Sequence, residues 1–100
     1  MPDVFTVVAK IYPKPGKENE LEAILRQQVE AVRKAEPDCL VYRPHRSVNE
    51  PVHFLFYEQY RSEAAFELHR KAPHLAAFQE RRKDLVARPP DIEIYRSVTD

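Results

Sequence analysis

Residues Val4 to Tyr12 crowd β-branched and aromatic side chains together and stop at Pro13-Lys14-Pro15-Gly16, a run that breaks regular structure. This segment is predicted to be a strand. From Lys17 to Lys34 the spacing changes. Leu21, Ile24, Leu25, Gln28 or Val29, and Val32 recur at helical intervals between charged side chains, and Pro37 lies beyond the end. Cys39 to Ser47 and His53 to Tyr60 are again strand-like, joined by the polar turn Val48-Asn49-Glu50-Pro51-Val52, and read as an antiparallel hairpin. Pro44 has no N–H to give a ladder, so its side of the first hairpin strand should be an edge or a bulge. Ser62 can cap a helix through Ala64, Ala65, Phe66 and Leu68. Pro73 interrupts that pattern before His74, Leu75, Phe78 and Leu85 resume it, so a kinked or two-piece helix is expected. Arg88-Pro89-Pro90-Asp91 is a stiff loop into a last strand, Ile92 to Val98.

The order is βαββαβ, which predicts an α+β, ferredoxin-like fold: a four-stranded antiparallel sheet with two helices on one face. In Phe54, Leu55, Phe56 and Tyr57, and in Val4, Phe5, Val7 and Val8, apolar side chains occupy both strand phases. A sheet with one wet face should alternate. Both faces are therefore expected to be buried, the second against the same face of another copy, giving a homodimer. The length of 100 residues fits one domain, 1–100, and a chain of this size buries only about two-thirds of its unfolded surface, so a partner would extend the core.

Charge and cysteine content narrow the function. The chain carries 16 Lys and Arg against 16 Asp and Glu, so no broad field draws nucleic acid or an anionic membrane. Cys39 is the lone cysteine, which removes an internal disulfide and thiolate metal clusters. Met1 leads straight into a strand-like segment, with no basic and apolar leader, as expected of a soluble, cytoplasmic protein. Gly16 is the only glycine, so a Gly-rich phosphate loop is absent and no bound dinucleotide is expected.

Several stretches, in this order and spacing, resemble the antibiotic biosynthesis monooxygenase family and its quinol monooxygenase-like members. They are Pro15-Gly16-Lys17, Ala35-Glu36-Pro37-Asp38-Cys39-Leu40, Tyr57-Glu58-Gln59-Tyr60, and His69 with Pro73-His74. The resemblance spans nearly the whole chain. It implies a dimeric α/β barrel with a ligand cleft between helices and sheet, and oxidation of quinols or other polyhydroxylated aromatics by O2 without metal or organic cofactor. Two positions differ from the family pattern: Tyr60 stands where many relatives carry Trp, and Asp38 where they commonly carry Gly. Asp tolerates a left-handed turn better than most residues, so the turn should survive. Haem-degrading relatives use an Asn on the first strand, and Val4 to Ile11 contains none.

Such chemistry needs a base near the operating pH, donors for a developing oxyanion and a water-poor aromatic pocket. His74 and His69 are the candidate bases, and Tyr57, Tyr60, Phe66 and Phe78 the candidate substrate contacts. Tyr57 and Tyr60 fall on opposite strand phases, so at most one should face the cleft. The two histidines are five positions apart, with no Cys or carboxylate at helical ligand spacing, so no metal site is expected. His45 and His53 near the hairpin turn are expected to be solvated, and Arg81-Arg82-Lys83, late in the second helix, to stabilise the helix end through its dipole, with phosphate binding the lesser alternative. Cys39 is expected to be inert. The same features suit two alternatives, a proton-transfer enzyme such as an isomerase or cyclase, and a non-catalytic ligand-binding or stress-related protein.

Overall fold

The computed structural model describes residues 4–99. Strand β1 (Phe5–Ile11) leads through a turn into helix α1 (Glu18–Ala35). Gly16 takes φ 85° in that turn, a left-handed conformation that glycine adopts without a Cβ clash. Acidic Glu18 and Glu20 sit in the first turn of α1 and basic Arg33 and Lys34 in the last, each complementing the helix dipole. Leu21, Leu25, Gln28, Val29 and Val32 form its buried stripe. Strands β2 (Cys39–Arg46) and β3 (Phe54–Tyr60) make the expected hairpin.

The second helical stretch is in two pieces, α2 (Glu63–Lys71) and α3 (Pro73–Arg82). Ser62 accepts a 3.2 Å hydrogen bond from the Ala65 N–H, which caps α2. Ala72, extended at φ −70°, ψ 140°, makes the break because the residue before proline is kept out of the helical region, and Pro73 then opens α3 without an N–H to satisfy. Strand β4 (Asp91–Arg96) completes an antiparallel sheet in the order β2-β3-β1-β4. Pro44 lies on the edge strand β2, as expected, although the register irregularity falls between Cys39 and Val41.

All three helices lie on one side of the sheet. Phe5, Val7, Ala9 and Ile11 of β1 and Phe54, Phe56, Glu58 and Tyr60 of β3 point toward them and are buried. The opposite face carries Val8, Leu55, Tyr57 and Tyr95, none of them fully buried within this chain. Burial of both faces is therefore not achieved by one copy. Strand β4 is exposed along its whole length, including Ile92 and Ile94 on the helix side, because the helices reach over β2 and β3 but not over this edge. Asp38 is not left-handed: no non-glycine residue among those described has positive φ. The turn holds instead through the Asp38 carbonyl, which accepts from the Arg61 N–H at 2.9 Å, and an exposed ion pair to Arg61 at 3.0 Å. No helix among the described residues is long and apolar enough to cross a membrane.

Candidate active site

Three helix ends converge beside the sheet. Glu36 follows the last residue of α1, held by its own N–H bonding to the Val32 carbonyl at 2.9 Å. His69 lies in the last turn of α2, and His74 in the first turn of α3. His69 Nδ1 reaches the Glu36 carboxylate at 2.8 and 3.0 Å, and His74 Nε2 bonds the same carboxylate at Oε2. Burial pushes the Glu36 carboxyl up, but the hydrogen bonds from His69 and His74 outweigh it and hold the group below the ordinary carboxylate range.

His69 is buried among aromatic rings, with Tyr60 at 5.3 Å and Tyr42 at 5.5 Å between centroids. It also lines a cavity of about 590 Å³ between the sheet and α2 and α3, a volume suited to a small organic ligand. Phe56, Phe66 and Phe78 supply aromatic wall, and Pro90, Ile92 and Ile94 line the cavity on the side where β4 is exposed. A neutral imidazole that donates Nδ1–H to Glu36 keeps Nε2 as an acceptor, so the carboxylate selects the tautomer of a base in the cavity wall.

Glu58 lies in the same wall, only 5% exposed. Its Oε1 accepts from the Tyr60 hydroxyl at 2.6 Å. Burial is the main cause that pushes its carboxyl up to about 7, against the lowering effects of the Tyr60 bond and of His69. The Tyr60 phenol is itself pushed far up, chiefly by burial. Cys39 is half-buried and its thiol is raised to about 12, first by burial, so it stays protonated at neutral pH.

The candidate residues thus divide. His69, Phe66 and Phe78 line the cavity. His74 stands outside the lining, bonded to Glu36. Tyr60 is fully buried on the helix side beneath Glu58, and Tyr57 is on the opposite sheet face beside Arg43 and Leu55, away from this cavity. Its strand phase decides that: neighbours of Glu58 along β3 point outward. The lack of a carboxylate near the histidines does not hold in three dimensions. Glu36, His69 and His74 each offer a ligand atom within 4.8 Å of the others, a set able to hold a divalent cation. The partner comes from another helix, 33 residues from His69. Glu36 and Glu58 carry chemistry that sequence reasoning passed over. Glu58 had a signal, since it occupies the inward phase of a strand whose other inward residues are Phe54, Phe56 and Tyr60.

The sequence model of the antibiotic biosynthesis monooxygenase family matches residues 4–81. The chain belongs to the antibiotic biosynthesis monooxygenase family. Among proteins of this fold, a candidate antibiotic biosynthesis monooxygenase from Caulobacter crescentus CB15 superposes with a TM-score of 0.91 at 29% identity, over 97% of this chain and 92% of that one. Rv0793 of Mycobacterium tuberculosis, named only provisionally as a monooxygenase, is 31% identical over 88% of this chain and 85% of its own length, and its structure superposes with a TM-score of 0.86. The uncharacterized protein sll1783 of Synechocystis is 35% identical over 94% of this chain, which spans 63% of that relative's length. The monooxygenase-family match ends at residue 81, before Pro90, Ile92 and Ile94 of the cavity lining.

Proposed function

We propose that the protein is a cofactor-independent monooxygenase that oxidises a small quinol or polyhydroxylated aromatic with O2. The observation that carries this reading is the buried Glu36–His69 pair opening on an aromatic-walled cavity. Ground-state O2 is a triplet and reacts with a closed-shell aromatic only after one-electron transfer, which a phenolate performs far more readily than a phenol. His69 Nε2 takes the hydroxyl proton, Glu36 stabilises the imidazolium that forms, and the phenolate gives an electron to O2. The overall reaction, quinol plus O2 to hydroxylated quinone plus water, balances with all four electrons drawn from the quinol. No outside reductant is required. His74, sharing the Glu36 carboxylate, acts by positioning it.

The working form in this reading is a homodimer in the cytoplasm. On the helix-free face Tyr57, 37% exposed, pairs with Val8, and Tyr95, 48% exposed, with Thr6; these side chains and Leu55, set among Lys10, Arg43 and Glu93, are the surface that a second copy would cover. Light scattering at micromolar concentration should give twice the chain mass, and a monomer would reject this part.

The activity test is oxygen consumption by metal-stripped protein given a panel of reduced quinols, with autoxidation and boiled-protein controls. Saturable uptake above autoxidation supports an oxygenase. Binding of quinols with no uptake of O2 rejects it and moves a proton-transfer enzyme or a ligand-binding protein ahead.

A further inference from the structure

We infer that Glu58 is a second catalytic proton acceptor, taking the proton of a substrate hydroxyl at its Oε2 in the same cavity. Four observations carry this. Glu58 occupies the cross-strand row Tyr42, Glu58, Val7, Ile94, and all four side chains line the cavity. It has no cationic partner among the described residues, although an unpaired buried carboxyl is a costly core residue. Oε1 is taken by the Tyr60 hydroxyl, which fixes the rotamer, while Oε2 has no protein hydrogen bond among those residues. Finally, Tyr60 is held rigidly, with no exposed surface and its ring 5.3 Å from those of Phe66 and His69.

The Tyr60 hydroxyl needs only an acceptor at this position, which the amide oxygen of Gln would supply without the cost of a buried carboxyl. A ligand hydroxyl supplies the missing hydrogen bond. The charged and titratable groups around Glu58 are Cys39 and Tyr42 from β2, Tyr60 from β3, His69 and Arg70 from α2, Arg82 from α3 and Glu36 after α1. None neutralises it by an ion pair, and its raised proton affinity suits an acceptor working near pH 7.

The assignment rests on the oxygenase reading for its role in turnover and completes its proton count. When a quinol becomes a hydroxylated quinone, two carbonyls stand where two hydroxyls stood, so both O–H protons must leave. His69 accepts one and Glu58 the other. At Glu58 the substrate O–H bond breaks, its electron pair stays on the substrate oxygen for transfer to O2, and the proton passes on to the departing water. The cavity is thereby assigned to aromatics with two hydroxyls rather than one.

The test has two arms, on wild-type protein, Glu58→Gln and Glu58→Asp. Turnover of naphthalene-1,4-diol should fall ~100-fold in kcat for Glu58→Gln with little change in KM, lose the pH limb near neutrality, and recover partly in Glu58→Asp. Unchanged kcat and pH profile in Glu58→Gln would overturn the proposal. The second arm needs no turnover. Calorimetric binding of 4-nitrophenol at about pH 8.5, in buffers of different ionisation enthalpy, counts protons, because two acidic groups brought together share one proton. Wild type should take up close to one proton per site more than Glu58→Gln, which keeps only what His69 binds; equal uptake, or no binding by any form, would overturn the assignment. Loss of that extra proton in Glu58→Gln, with no O2 consumed by wild type, would retain Glu58 as the hydroxyl acceptor and reject the oxygenase reading alone.

Discussion

Glu36 and Glu58 flank His69, both withdrawn from bulk water, yet their surroundings drive them in opposite directions. Glu36 receives hydrogen bonds from two imidazoles and is held below the ordinary carboxylate range despite burial. Glu58 receives one phenolic hydroxyl, and burial dominates, raising it to about 7. Burial alone therefore does not decide whether a carboxyl is charged. The balance of burial against donors does: Glu58 is the more deeply buried and meets one donor, Glu36 is partly exposed and meets two, and a site with one carboxylate of each kind can hold a cation-forming base on one side and a proton acceptor on the other.

The largest expected effect is on stability against pH. Folding raises the Glu58 pKa from 4.5 to about 7, so the native state binds the extra proton in that window. Its stability is intact below about pH 4.5 and is lost as pH rises through 7, by on the order of 3 kcal/mol when the carboxylate is fully formed. Chemical denaturation of Glu58→Gln should show that alkaline loss abolished, and an unchanged slope between pH 5 and 8 would refute the burial account. Glu36 has the opposite sign. Its folded pKa is lowered, so its contribution is present above about 4.5 and is lost as pH falls through the lower folded value. Glu36→Gln should flatten the acid limb of the same curves.

Next in size is catalysis. His69→Ala should reduce kcat for quinol oxidation ~100-fold or more, since it removes the base in the cavity wall. His74→Ala, which removes only a second donor to Glu36, should cost about tenfold. A steady-state comparison of the two separates base from positioning residue, and a larger loss for His74→Ala would reverse their roles. The smallest expected effect is none: dialysis against a chelator should leave kcat unchanged if Glu36 works as a hydrogen-bond acceptor. Loss of activity restored by one divalent cation would instead make Glu36, His69 and His74 a metal site.

Much of the architecture was legible along the chain because it depends on local rules. The strand phases of β1 and β3, the helical stripe of α1, the Ser62 cap and the break at Pro73 are each set by neighbours within a few positions. The alternation through Tyr57 and Tyr60 also foretold that only one of them could point toward the helices. The site was less legible. His69 and His74 were visible as residue types, but not the carboxylate between them, because Glu36 comes from the far end of another helix.

Sequence by itself determined the order of elements, the inward and outward faces, the family and the stock of candidate bases, all of which follow from residue periodicity and chain order. Tertiary structure alone decided that His69 rather than His74 reaches the cavity, that Tyr57 faces away from it, and that the two glutamates acquire opposite proton affinities. Proton affinity and access depend on burial, on the direction of donors and on which helix ends meet, and these are properties of distances between residues far apart in the chain.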